Sequence, residues 1–127
     1  MVFFKNYITR EYVKSNPDKQ FLFGDNLLGK GFGGQAKELR GEPNSFGIPT
    51  KKTPNTYFSS YFSDDEFEEN KKAIDEAFAK LDYSKDIIIP EDGLGTGRAK
   101  LEEKAPKTFL YLQRKIQEIK QIGYLIG

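Results

Sequence analysis

Phe23-Gly24-Asp25-Asn26-Leu27-Leu28-Gly29-Lys30-Gly31-Phe32-Gly33-Gly34-Gln35-Ala36 follows directly on the apolar run that ends at Phe23, and it reads as a strand end, a backbone-exposing loop and the start of a helix. Four glycines between positions 29 and 34 make the loop entropically expensive to order, which suits a segment whose N–H groups must approach an anion closely. A second such loop, Gly93-Leu94-Gly95-Thr96-Gly97-Arg98, follows the strand-like run Ile87-Ile88-Ile89. Two glycine loops, each at the carboxyl end of a predicted strand, outline one anion-binding cleft at the top of an α/β sheet.

The remaining segments supply the sheet and its cover. Thr9 to Ser15 reads as a short capped helix stopped by Asn16-Pro17-Asp18, and Gln20 to Phe23 as the first firm strand. A short helix over about Gly34 to Leu39 is broken by Arg40-Gly41-Glu42-Pro43-Asn44, and Ser45 to Pro49 forms a second strand with Phe46 and Ile48 on one face. Ser63-Asp64-Asp65-Glu66 predicts a helix start, with a Ser cap, Glu three positions on and an acidic first turn; Phe67, Ile74, Phe78 and Leu81 then form its apolar stripe. Asp86 to Pro90 is a continuous apolar run, expected of a parallel strand covered on both faces. A long helix over about Leu101 to Ile122 turns Phe109, Leu112, Ile116 and Ile119 inward, with Pro106 marking its true start, and Tyr124-Leu125-Ile126 forms an edge strand or a docked tail. Strands alternating with helices predict an α/β or mixed α/β/α layered fold.

At 127 residues the chain is one domain with a single core, which 11 Phe and 7 Tyr can fill without Trp. Twenty basic against 19 acidic residues leave a net charge of +1, so no global field points to nucleic acid or an anionic membrane. The absence of Cys excludes disulfides and thiol catalysis. The absence of His removes the usual general base and the commonest transition-metal ligand. Any catalysis therefore falls to carboxylates, lysine, Tyr, Ser/Thr or ordered water, with no metal or cofactor expected. Met1 to Lys5 is too short and too soon charged for a signal peptide, and no run approaches the roughly 20 apolar residues of a membrane span. A soluble, cytoplasmic protein is the expectation.

Within the first loop, Gly29, Gly31 and Gly34 fit G-x-G-x-x-G, but the match stands well past the strand and lacks the acidic residue that follows in dinucleotide sites. No Gly-Lys-Ser/Thr follows at Walker spacing either. Asp25 and Asn26 offer a carboxylate and a carboxamide suited to ribose hydroxyls or a base edge, and are equally good turn residues. Thr50-Lys51-Lys52 places two lysines just beyond the second strand. In isolation these are solvated surface lysines; beside further cations such as Lys30 or Arg98 in a closed cleft, one becomes an amine with a lowered pKa. Glu91-Asp92 is a weaker acid/base candidate, Arg40, Glu42 and Asn44 suggest a loop salt bridge, and Tyr57, Ser59 and Ser60 lack a base partner for serine chemistry.

In order and spacing, these segments resemble the macro-domain superfamily, particularly the branch of terminal ADP-ribose glycohydrolases and antitoxins that reverse DNA ADP-ribosylation. The motifs that carry the likeness are the Asn-containing turn with its Gly-Lys-Gly segment (Phe23 to Ala36), Pro-Thr-Lys-Lys (Pro49 to Lys52) and Pro-x-x-Gly-x-Gly (Pro90 to Gly97). The resemblance covers about residues 20 to 115 and implies a single three-layer α/β/α domain with a mixed, largely parallel central sheet. It implies that Asn26 faces the distal ribose, that Gly29, Gly31, Gly33 and Gly34 line the diphosphate and ribose, and that Gly93, Gly95 and Gly97 form a second phosphate loop. Lys51 falls on the lysine that attacks C1″ of the distal ribose. The acid that resolves the adduct in part of the family falls at Gly97, leaving Asp25 or Asp92 as substitutes. Gln35, Thr50, Lys52, Thr96 and Arg98 complete the candidate ligand-binding set. The implied partners are ADP-ribose or ADP-ribosylated protein or DNA, either hydrolysed or, in a reader or phage-type sequestering protein, only held.

Overall fold

The computed structural model describes the backbone of residues 1–126 and the side chains of residues 1–122. In chain order its elements are β1 (Val2–Lys5), α1 (Arg10–Ser15), β2 (Gln20–Asn26), α2 (Ala36–Leu39), β3 (Ser45–Lys51), α3 (Phe67–Phe78), β4 (Ile87–Pro90), α4 (Leu101–Lys104) and α5 (Pro106–Ile126). A helix lies in every connection between successive strands, so each strand returns in the same direction as the last. The result is a four-stranded sheet of order β1-β4-β2-β3 whose pairs are all parallel. Among the described residues the expected antiparallel component reduces to one isolated bridge between Lys51 and Tyr61.

The strand β1 was not legible as such: four residues carry too little alternation to read, and as an edge strand it leaves Phe3 and Phe4 about half exposed. It pairs with β4, Val2 opposite Ile87 and Lys5 opposite Pro90. On the central strands, alternation divides the apolar side chains between the two faces. Phe21, Phe23 and Ile88 pack with Ile8, Val13, Ala36 and Leu39 of the α1 and α2 side. Leu22, Ile48, Ile87 and Ile89 pack with Ile74 and Phe78 of α3 and with Leu112, Ile116 and Ile119 of α5. Phe46 joins that second cluster, as expected of a residue sharing a face with Ile48. The unbroken apolar run of β4 is thus accounted for by cover on both faces.

Side-chain caps fix the helix ends. Thr9 Oγ1 accepts the Tyr12 N–H at 3.1 Å to start α1. Asn44, in the predicted breaker, donates to the carbonyls of Val13, Asn16 and Lys19, which ties the end of α1 to the entry of β3. Ser63 Oγ accepts from Asp65 N at 3.2 Å, but Asp64–Glu66 is a 3-10 turn and the Glu66 carboxylate pairs with Lys52 instead of closing a capping box. Asp64 caps α5, accepting the N–H groups of Lys107 at 2.9 Å and Thr108 at 3.1 Å, so the long C-terminal helix does start at Pro106 and the preceding turn is the separate α4. It runs on to Ile126, which rules out an edge strand over residues 124–126; the side chains there lie outside the described residues. Among the described residues no helix is long and apolar enough to cross a membrane.

Candidate functional site

The strand order places β4, β2 and β3 side by side, and the loops leaving their carboxyl ends meet over one cleft of about 410 Å³. This is the location at which open parallel sheets bind ligands, since neighbouring loops diverge there and leave a crevice. The first glycine loop (through Lys30 to Gln35), the end of β3 (Thr50, Lys51) and the second glycine loop (Gly93 and Gly95 to Arg98) all line it. Three segments far apart in sequence thus converge as expected.

The first loop is held by Asn26, which the expectation had assigned to ligand and which lines the cleft, and by Arg40. Asn26 Oδ1 accepts the N–H of Leu28 at 3.0 Å and, more weakly, that of Lys30, while Nδ2 donates to Lys30 O at 2.7 Å. Its carboxamide is therefore spent on shaping the loop. Arg40 donates from Nε to Gly31 O at 2.7 Å and from Nη2 to Lys30 O at 3.2 Å, and grips Asp25 through both Nη atoms at 3.2 and 2.5 Å. Both partners are largely buried, with side-chain exposures of 15% and 13%. Asp25 is consequently a buried counter-ion in the cleft wall, whose oxygens are already engaged, and a poorly placed general base. Arg40 was expected in a loop salt bridge, but Glu42 is taken by Arg10 and the partner of Arg40 comes from β2. Gly47, on β3 beside Asp25, leaves the room the carboxylate needs: an added Cβ would clash with Asp25 Oδ2 and lie 2.8 Å from the Asp25 Cβ.

Gly31 (φ +95°) bends the loop towards Pro54, while Gly29 forms the turn after β2, donating to Asn26 O at 3.1 Å, and does not line the cleft. Gln35 lines the cleft but also pairs its amide with both backbone groups of Ile8, at 2.6 and 2.8 Å. In the second loop Gly95 (φ +78°) packs on Leu101 and Thr50, and Thr96 Oγ1 donates to Asp92 O at 2.8 Å. An added Cβ at Gly97 would meet nothing within 4 Å. Glu91 and Asp92 line the same cleft and are exposed.

Lys51 and Lys52 separate sharply. Successive residues at a strand end face opposite ways. Lys51 turns into the cleft wall, 7% exposed, donating to Asn55 O with its ammonium 4.7 Å from the Tyr61 ring centroid. Lys52 turns out to Glu66 and does not line the cleft, so its expected ligand role is not supported by its position. Burial, and secondarily the positive charge of Arg98, hold the Lys51 amine below its ordinary value of 10.5. Thr50, 2% exposed, donates to Asp25 O at 3.3 Å from the cleft floor.

Two aromatic residues of the lining were missed. Tyr7 (55% exposed) follows the unread strand β1, and Phe32 (66%) sits inside the glycine loop, where a large apolar side chain without a core position was the available signal. Among the described residues no group of three or more acidic side chains is disposed to hold a metal ion.

A family model described as a family of unknown function (DUF7831) matches residues 3–115, from β1 into α5, including every segment of the cleft. The chain belongs to this family. No curated protein and no solved structure matches this DUF7831 chain.

Proposed function

We propose that this DUF7831 protein binds ADP-ribose, or a closely related NAD-derived nucleotide, in the cleft above β4, β2 and β3, and removes ADP-ribose from a modified carboxylate or nucleobase. The observation that carries the reading is the convergence of two glycine loops and one buried lysine of lowered pKa on a single crevice. In this reading the fold is a three-layer macro-like domain, supported by the apolar clusters on the two faces of the parallel sheet. The loops supply backbone N–H groups to the diphosphate. Lys51, in its neutral form, forms a bond from Nζ to C1″ of the distal ribose as the bond from C1″ to the acceptor breaks and the acceptor leaves with its electron pair. The attacking nitrogen gives a proton to solvent, and water then cleaves C1″–Nζ to release ADP-ribose and the free amine, whereas in its charged form Lys51 stabilises the departing group.

Asn26 and Asp25 act indirectly here, through the shape of the first loop, since their polar atoms are already engaged. Their engagement, together with glycine at position 97, favours a second reading in which the protein holds the nucleotide without turnover.

Isothermal titration with ADP-ribose beside a turnover assay on ADP-ribosylated protein and DNA separates the two. Lys51→Ala is expected to abolish turnover while leaving ADP-ribose affinity within about tenfold, or ~1.4 kcal/mol. Binding without turnover in the wild-type protein establishes the sequestering reading, and absence of both refutes the ligand assignment.

A further inference from the structure

Arg98 leaves the second glycine loop and lies across the first. An added Cβ at Gly33 would come within 2.7 Å of Arg98 Nη1, 3.1 Å of Cζ and 3.3 Å of Cδ, so the guanidinium occupies the space that a side chain at position 33 would fill. Both residues line the cleft. Arg10 and Arg40 are committed to Glu42 and Asp25, yet among the described residues Arg98 has neither an ion-pair nor a side-chain hydrogen-bond partner, and it is exposed. It therefore contributes little to holding the fold. A guanidinium offers five N–H donors in a rigid plane that matches two oxygens of a phosphate group. Next to it, an added Cβ at Gly34 or at Gly97 would meet nothing within 4 Å, leaving open volume on both loops.

We propose that Arg98 is the specificity-determining residue of the cleft, clamping a diphosphate between the two glycine loops and so selecting diphosphate-bearing ligands over monophosphates. The inference rests on the ADP-ribose reading and adds which group the cleft selects for. A monophosphate satisfies one loop, whereas a P–O–P unit reaches both and places its charge under a cation that spans them. Glycine at position 33 leaves room for the guanidinium in this position, which a methyl group there would shift. Arg98 also contributes to the lowered pKa of Lys51, consistent with its charge being felt at the reacting end of the cleft.

The test is titration of the full chain with ADP-ribose, inorganic pyrophosphate and AMP, in wild type, Arg98→Ala, Arg98→Lys and Gly33→Ala. Arg98→Ala is expected to weaken ADP-ribose and pyrophosphate by at least about tenfold and AMP by less than about threefold, since only the diphosphates engage the charge-assisted clamp. Arg98→Lys recovers part of the loss, Gly33→Ala weakens the diphosphates less than Arg98→Ala because the guanidinium can shift and stay in the cleft, and thermal unfolding of Arg98→Ala matches wild type. Unchanged ADP-ribose and pyrophosphate affinity in Arg98→Ala, or an equal loss for AMP, overturns the clamp. Arg98-dependent binding of pyrophosphate without binding of ADP-ribose leaves the clamp standing and overturns the ADP-ribose reading. Failure of the wild-type protein to bind either overturns both.

Discussion

The contrast between Gly47 and Gly97 shows how differently one residue type is used around the cleft. At Gly47 any side chain meets the Asp25 carboxylate, which cannot retreat because Arg40 grips both its oxygens. Gly47→Ala is therefore expected to cost about 3 kcal/mol, combining overpacking with damage to a buried ion pair. Gly97 is open, and Gly97→Asp is expected to unfold within about 0.5 kcal/mol of wild type, as for a surface substitution. Denaturant melts of the two variants check this, and equal losses would refute the assigned packing. The sequence marked Gly97 in the second loop and assigned nothing to Gly47, and only tertiary distances distinguish a glycine that admits a neighbour's carboxylate from one that faces open space.

At the scale of elements, α3 and α5 are joined across the sheet face by polar contacts as well as by their shared core. Asn70 Nδ2 donates to Thr108 Oγ1 at 3.1 Å, and the Tyr111 hydroxyl donates to Asp75. Burial, and then the bond to and charge of Asp75, push the Tyr111 phenol up to about 12. Because the folded value exceeds the unfolded value near 10, the contribution is whole below pH 10 and is lost as pH rises through 12. Tyr111→Phe is expected to lower stability by about 1.5 kcal/mol at pH 7, the worth of a hydrogen bond to a charged group, and to lose less than wild type between pH 10 and 12. Urea melts across that range test it; parallel losses in both proteins would show that Tyr111 is not the titrating group. The periodicity of α5 was legible in Leu112, Ile116 and Ile119, all buried as read. Its polar seam was not, because Tyr111 and Asp75 stand 36 positions apart in sequence and declare no pairing.

For the whole molecule, the decisive property is the electrostatic environment that the strand order creates at Lys51. Its amine is held below 10.5 chiefly by burial and then by Arg98. If the neutral amine is the nucleophile, turnover increases as pH rises through the lowered value. Arg98→Ala removes a neighbouring cation, raises the Lys51 pKa and moves that increase to higher pH; the shift is partial because burial remains. A pH–rate profile of wild type and Arg98→Ala measures this, and a profile unmoved or moved to lower pH would remove Arg98 from the electrostatics of the site.

The sequence by itself determined the alternation of strands and helices, the two glycine loops, the two-sided burial of Ile87 to Ile89, and the candidacy of Lys51. These are written locally, in periodicity, capping residues and glycine spacing, which act over a few positions of chain. Tertiary structure decided that β1 is a strand, that the sheet is parallel throughout its named pairs, that Lys51 rather than Lys52 faces the cleft, and that Asp25, in the cleft lining, pairs with Arg40. Each of those outcomes depends on a partner remote in sequence: Ile87 for Val2, Glu66 for Lys52 and Arg40 for Asp25. Hydrogen bonds and ion pairs commit a polar group only when folding brings its partner within about 3 Å, so the role of a carboxylate or an amine stays open until the chain is closed upon itself.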